Sequence, residues 1–262
     1  MKKIILFLIS YISISYASVD IAVSIVPEAT IVKAISGDKA HIEVLVPKGA
    51  SPHTYEPKPS QMIKLQKSSI YFAIGVEFEK IWLEKFKSQN PHLKIVNLDN
   101  NITKINNNPH IWLSTKNLSI MAKKIYQTLI MIDSTNKKQY KQNLDKYLQK
   151  LSTCHDSIQS IIKTKKTRDF MVFHPAFNYF AKEFGLTQIA IEIDGKNPSL
   201  KELLTVIKKA KSLGIKTIIT SPEFSDKSAK IIANELNANI LKISPLDSKI
   251  CNTLKSIANS LK

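Results

Sequence analysis

Short apolar segments alternate along the chain with longer segments in which apolar residues recur at helical spacing. The apolar segments predict strands at 19–26, 41–46, 70–74, 94–98, 170–173, 188–193, 216–220 and 239–243. The amphipathic segments predict helices at 29–35, 60–67, 77–87, 118–132, 135–163, 178–183, 199–211, 225–236 and 249–261. Strands and helices that alternate in this way predict parallel sheets covered by helices, which is the α/β fold class.

The longest helical pattern covers 135–163 and contains neither proline nor glycine. At 1.5 Å per residue such a helix would be roughly 43 Å long, which exceeds the width of a small lobe. We therefore expect two lobes, each a mostly parallel sheet flanked by helices, joined by one long rigid helix. The predicted boundaries are an N-terminal lobe at 18–133, a linking helix at 134–165 and a C-terminal lobe at 166–262.

The N-terminus has the order of a secretory signal peptide. Lys2 and Lys3 precede an apolar stretch at 4–14, and small residues, Ser15 and Ala17, stand at the −3 and −1 positions of a cut after Ala17. The stretch is shorter than the roughly 20 residues that span a membrane, so a membrane anchor is the weaker alternative. We predict a signal peptide at 1–17 with cleavage after Ala17, which places the mature chain outside the cytoplasmic membrane.

Composition and charge exclude several classes of protein. A hydrophobic content of 44% is enough to bury a core, which excludes wholesale disorder. Lysine and arginine number 38 against 21 aspartate and glutamate, a net charge of +17 that is typical of proteins binding nucleic acid or anionic surfaces. Here the lysines are spread over helix faces along the whole chain, and they are not clustered in a nucleic-acid-binding motif. Because export also separates the chain from most nucleic acid, we expect no nucleic acid partner.

The two cysteines, Cys154 and Cys251, fall on the longest predicted helix and the last one. Export makes a disulfide between them chemically accessible, and an even number of cysteines favours pairing. The alternative is a pair of buried free thiols.

Three of the six histidines share a context that the others lack. His53, His110 and His174 lie at strand ends or loop junctions, each next to a proline that restrains the backbone. Imidazole is the commonest metal ligand and suits zinc, copper, iron and nickel. Spacing alone leaves two interpretations open, a shared metal site or three separate structural or surface histidines.

Four segments resemble those of the periplasmic zinc-binding proteins of ABC importers, the cluster A-I solute-binding family. The first, GASPHTYEPKPS at 49–60, resembles the family's GxSPHxYEPxPS, and NPHIWLS at 108–114 is similar to DPHxWLSP. FHPAFNYF at 173–180, followed by FGL, resembles xHxAFxYFxxxYGL, and EIDGKNPS at 192–199 resembles ExxGKxPS. The resemblance extends over about 21–261.

The resemblance implies a two-lobed α/β fold with a metal ion in the cleft, bound by His53, His110 and His174. A histidine as the third ligand is the pattern of the zinc branch, whereas the manganese branch usually has a carboxylate there. Two features depart from the family. The segment 99–108 is short and rich in asparagine, where zinc members often carry a long loop rich in histidine and acidic residues, and Asn108 replaces the usual aspartate.

The resemblance also implies a fourth ligand. Asp247 lies near the position of the aspartate that the manganese branch uses, and we take it as the expected ligand, although an aspartate just before a helix is also a capping candidate. Glu56, three residues after His53, is the alternative, and water is a third option. Glu192 and Glu223 are weaker candidates, and Glu192 is instead suited to orient an imidazole through its second nitrogen.

The function implied by the resemblance is that of a periplasmic, monomeric, non-enzymatic solute-binding protein. It would capture Zn²⁺ as cargo and deliver it to an inner-membrane ABC permease with a cytoplasmic ATPase. One alternative is a manganese- or iron-binding protein of the same importer class. A zinc-dependent hydrolase is another, because three histidines and a water also form catalytic sites, but the chain has no HExxH or serine-nucleophile motif. The last alternative is a surface adhesin.

Overall fold

The structure, a computed structural model, describes residues 18–192, 199–224 and 227–262. The predicted signal peptide at 1–17 and the IDGKNP part of the fourth motif, 193–198, lie outside the described residues. Within the described part of the chain, no helix has the length and apolar character needed to cross a membrane.

The N-terminal half alternates strands and helices around one sheet. Its elements are β1 (Val19–Val23), α1 (Val26–Ser36), β2 (Ala40–Val44), α2 (Pro59–Lys67), β3 (Ile70–Ala73), α3 (Glu77–Gln89), β4 (Lys94–Asn97) and α4 (Thr115–Ile132). The strands are all parallel in the order β2-β1-β3-β4, with Val19 opposite Ala40 and Ile21 opposite Ile70.

The C-terminal half repeats this arrangement. Its elements are β5 (Asp169–Val172), α6 (Asn178–Phe184), β6 (Thr187–Ala190), α7 (Leu200–Ser212), β7 (Thr217–Thr220), α8 (Lys227–Leu236), β8 (Asn239–Lys242) and α9 (Ile250–Ser260). The sheet order is β6-β5-β7-β8, again all parallel. The predicted α/β class with one parallel sheet in each lobe is confirmed.

A single long helix, α5 (Lys137–Lys163), links the two lobes. A 3-10 turn at Ser134–Asn136 precedes it, and its 27 residues correspond to roughly 40 Å. It packs against α1 and α4 of the first lobe and against α9 of the second. The apolar positions spaced along one face are the buried ones: Tyr140, Leu144, Leu151, Cys154, Ile158 and Ile162. The predicted linking helix is therefore present.

The predicted disulfide is also confirmed. Cys154 on α5 and Cys251 on α9 are bonded, with a Cα–Cα distance of 6.0 Å and 97 positions between them in the sequence. The bond ties the linking helix to the last helix of the chain.

Two helices begin earlier than the apolar pattern predicts, because polar groups start them. Helix α1 begins at Val26 rather than 29: Pro27 suits the first turn, and the Glu28 carboxylate accepts the backbone N–H groups of Ser24 and Ile25. Helix α4 begins at Thr115 rather than 118, after Ser114, whose hydroxyl accepts the first-turn N–H of Asn117 at 3.2 Å.

The apolar core is continuous between the lobes. One cluster of buried side chains runs from the first sheet through α4 and α5 to one face of the second sheet and α9. A smaller cluster lies under α7 and α8 on the opposite face of the second sheet. The cleft between the lobes opens at the carboxyl ends of the parallel strands, where open α/β sheets bind ligands.

Candidate metal centre

Three histidines from three separate loops meet in this cleft. His53 lies on the loop between β2 and α2, His110 between β4 and α4, and His174 two residues after the end of β5. One ring nitrogen from each lies within 4.8 Å of the others, close enough to hold one metal ion. Nε2 of His110 and Nε2 of His174 are 3.3 Å apart. The structure thus brings together the three histidines that the sequence singles out.

Each of the three rings has a side-chain oxygen beside its other nitrogen, Nδ1. The pairs are His53 with Glu77 (3.1 Å), His110 with Asn108 (2.7 Å) and His174 with Glu192 (2.9 Å). In His110 and His174 the contact is a hydrogen bond, and an acceptor at Nδ1 holds the proton there and leaves the Nε2 lone pair free for a metal. The contact expected for Glu192 is among these three, whereas sequence reasoning missed Glu77. The sequence feature that could have indicated Glu77 is its place just after the apolar strand β3, because the ends of the strands form the cleft.

Asn108 orients His110 through more than one bond. Its Oδ1 also accepts the backbone N–H of His110 at 2.9 Å, and its Nδ2 donates to the carbonyl of Pro175 at 2.7 Å. An asparagine, unlike the aspartate usual in the resembling family, can both accept from the ring and donate to a carbonyl. Asn108, the residue that departs from the family pattern, thus links the loop that carries His110 to the loop that carries His174.

The environment favours neutral imidazole at the centre of the cluster. His110 is only 6% exposed, and burial, then the proximity of His174 and His53, holds its pKa well below the usual value. The ring of Phe224 stacks on His174 with centroids 4.5 Å apart and lies 6.0 Å from His53. Because the buried His110 ring is neutral, it can donate a lone pair without first losing a proton.

Carboxylates surround the cluster on several sides of the cleft. Glu77, Glu192 and Glu223 all line it, and contact with His53 is the main reason that the pKa of Glu77 is lowered. The hydroxyls of Ser221 and Ser244 donate to Glu223. These acidic groups give the cleft a local negative field within a chain whose overall charge is positive.

The two expected fourth ligands lie apart from the cluster. Among the residues that the structure describes, the three histidines are the group with ligand atoms close enough to share an ion. Asp247 lines a separate depression with Lys242 and Asn252, and its Oδ1 accepts the backbone N–H of Lys249 at 2.7 Å just before α9. The contact closes a turn just before the helix, whose N-cap residue is Lys249, so Asp247 does not take the N-cap position that the sequence left as the alternative. Glu56 is exposed on the loop after His53.

Comparison with known proteins places the chain in a family. The family described as "Zinc-uptake complex component A periplasmic" matches residues 21–256. A solved structure titled "Crystal structure of ZnuA" superimposes with a TM-score of 0.89 at 36% identity, covering 92% of this chain and 97% of that one.

Curated relatives carry both zinc and manganese in their names. The "High-affinity zinc uptake system protein ZnuA" of Bacillus subtilis is 26% identical, covering 86% of this chain and 75% of its own. The "Manganese ABC transporter substrate-binding lipoprotein PsaA" of Streptococcus pneumoniae serotype 4 is 28% identical, covering 81% and 75%. The family description says periplasmic and the Streptococcus relative is named a substrate-binding lipoprotein, which supports a location outside the cytoplasm. The chain belongs to the zinc-uptake complex component A family, the metal-binding substrate-binding proteins of ABC transporters.

Proposed function

We propose that this protein captures Zn²⁺ in the periplasm and delivers it to an ABC permease in the inner membrane. His53, His110 and His174 are the ligands. The observation that carries the proposal is the close approach of two Nε2 atoms, 3.3 Å apart, in His110 and His174. With oxygens at both Nδ1 atoms, these nitrogens face each other with lone pairs, an arrangement that a cation between them stabilises.

The distance suits zinc. Two nitrogens that each lie about 2.05 Å from a tetrahedral zinc ion are roughly 3.3 Å apart. Three imidazoles favour zinc over manganese, because manganese prefers oxygen ligands. The third donor is the nitrogen of His174. A carboxylate at this position would instead supply oxygen, the donor that manganese prefers. The fourth position faces the open cleft, and water fills it.

The family context supplies the rest of the proposal. Relatives serve importers with a permease and an ATPase, and a chain with a signal peptide at 1–17 would be released into the periplasm as a monomer. Zinc is cargo in this scheme, so the protein holds it without chemical change and passes it on.

Competitive zinc titration of single variants tests the ligand set. We expect His53→Ala, His110→Ala and His174→Ala each to lose more than about 100-fold in zinc affinity, beyond the effect of losing an outer partner. Asp247→Ala and Glu56→Ala are matched controls that remove a carboxylate lying apart from the three histidines, and we expect both to keep wild-type affinity.

Three outcomes would overturn parts of the proposal. If the three histidine variants bind zinc as the wild type does, the site is elsewhere. If Asp247→Ala or Glu56→Ala loses affinity as strongly as the histidine variants, that residue and not water is the fourth ligand. A deletion strain whose growth is restored by added manganese, and not by zinc, would contradict the choice of ion.

A further inference from the structure

A buried carboxylate joins three helices behind the cleft. Oε2 of Glu183, on α6, accepts the backbone N–H of Thr115 at 2.9 Å, and Oε1 accepts the hydroxyl of the same threonine. Oε1 also lies 2.9 Å from Nδ1 of His155 on the linking helix α5. The Glu183 side chain is 2% exposed, so three polar contacts replace the water that this charge would otherwise bind.

The contact connects the two lobes. Thr115 is the first residue of α4, which follows the last strand of the first sheet. Helix α6 lies between β5 and β6, two strands of the second sheet. The first N–H groups of a helix have no partner within the helix, and its N-terminus carries partial positive charge. A carboxylate from the second lobe thus caps a helix of the first lobe, which restrains how the two can move against each other.

The same two chain segments carry two of the three ligands. Thr115 comes five residues after His110, and Glu183 comes nine residues after His174. Two residues before His110, the carbonyl of Asn108 accepts the Tyr179 hydroxyl at 2.7 Å. The segments are therefore held together on both sides of His110, at Asn108 and at the cap on Thr115.

We propose that Glu183 is a positioning residue that sets the distance between His110 and His174 and so matches the site to a small tetrahedral ion. The inference rests on the proposed function, because it requires these histidines to bind the metal. Zinc–nitrogen bonds of about 2.0–2.1 Å tolerate little displacement of a donor. A cap anchored at both lobes keeps α4, and the loop that leads into it, at a fixed place relative to His174.

Zinc and cobalt binding to the purified protein test the proposal. We expect Glu183→Ala to lower zinc affinity about tenfold, the effect typical of losing an outer partner of a metal site. The visible absorption bands of the Co²⁺ form should also change in position and intensity, since they report the geometry of the donors. Glu183→Gln should recover most of both, because its amide oxygen can still accept the Thr115 N–H. Asp145→Ala is the control, since it removes an exposed carboxylate of α5 that pairs with Lys141.

A milder variant keeps the test decisive if Glu183→Ala does not fold. Thr115→Val removes the hydroxyl contact and keeps the backbone N–H, so we expect a smaller change in the same direction for both zinc affinity and cobalt spectrum. Folded Glu183→Ala or Thr115→Val protein with the wild-type affinity and spectrum would overturn the positioning role. That result would leave the proposed function intact, whereas a wild-type protein that binds no zinc would remove the proposed function itself.

Discussion

At the scale of single residues, the three ligand histidines differ from His155 in that their rings meet at one point, and not in the kind of group that contacts Nδ1. His155 also has a carboxylate oxygen 2.9 Å from its Nδ1, that of Glu183. Yet its ring packs on Phe184 at 4.8 Å and does not belong to the three-histidine group. An oxygen at Nδ1 fixes the tautomer of a histidine, but a metal site forms only where several such rings present their second nitrogen to one point.

The burial of His110 predicts how stability depends on pH in the metal-free protein. The folded state holds the pKa of His110 well below its usual value, whereas unfolding restores a value near 6.5. Below that pH the unfolded chain binds a proton that the folded chain does not, so the free energy of unfolding falls as the pH falls. The loss of stability should therefore set in as the pH is lowered through about 6.5.

Urea unfolding of metal-free protein at pH 7.5 and pH 5 measures this effect. We expect His110→Asn to lose less stability on acidification than the wild type, because it lacks the group that titrates. His92→Asn, a change at an exposed histidine, should follow the wild type. Equal pH dependence in wild type and His110→Asn would contradict the prediction.

At the scale of elements, the corner between β3 and α3 connects the core to the site. The buried carboxylate of Glu79 accepts the backbone N–H of Ile74 at 3.0 Å and that of Gly75 at 2.6 Å. These bonds close the corner from which Glu77 reaches His53. The carboxylate that lies beside one ligand is thus held by the turn that starts a helix.

Glu79 in this corner predicts a pH dependence of stability that is opposite in sign to that of His110. Burial is the main cause that raises the pKa of Glu79 from 4.5 to about 7. Between these values the folded state keeps a proton that the unfolded chain has lost, so the stability contribution is present below pH 4.5 and disappears as the pH rises through 7. The total is about 3 kcal/mol at 1.36 kcal/mol per unit. The glutamine side chain of Glu79→Gln is neutral at every pH. We therefore expect the free energy of unfolding of this variant to fall less between pH 5 and pH 8 than that of the wild type.

The measurement is urea unfolding across that pH range. Glu84→Gln, at an exposed position of the same helix, is the matched control and should retain the wild-type pH dependence. A Glu79→Gln profile parallel to that of the wild type would show that the carboxyl does not titrate in this interval.

The order of elements could be predicted from the sequence because the apolar pattern is regular. The linking helix was expected at 135–163 and covers Lys137–Lys163, since an uninterrupted apolar face specifies a helix by itself. The start of α1 could not be predicted in this way. It depends on the Glu28 carboxylate accepting the backbone N–H of Ser24, a polar contact that leaves no mark on the apolar pattern.

The site could be predicted only in part for a related reason. Proline-flanked loops and family motifs indicate His53, His110 and His174. The acceptor Glu77 becomes recognisable only when the loop after β3 meets the loop that carries His53. Asp247 illustrates the converse, because a position near the family's aspartate says nothing about the direction of its side chain, which here bonds the backbone before α9.

At the scale of the whole molecule, the two lobes are held as one body by more than the chain that joins them. The apolar core is continuous from the first sheet to the second, and the indole N–H of Trp112 donates to the carbonyl of Pro245 at 2.7 Å across the same junction. The disulfide between α5 and α9 adds a covalent tie on this side. Three kinds of interaction therefore restrain the relative position of the lobes.

The disulfide predicts a stability that depends on redox conditions. Linking Cys154 to Cys251 closes a loop across 97 positions, which restricts the unfolded chain. By the chain-entropy relation, a loop of this size contributes about 4.7 kcal/mol to stability. We expect the double variant Cys154→Ala/Cys251→Ala to melt several degrees below the oxidised wild type. Reductant should lower the melting temperature of the wild type towards that of the variant and leave the variant unchanged. Equal melting temperatures without reductant, or a reductant effect on the variant, would show that the bond does not stabilise the fold.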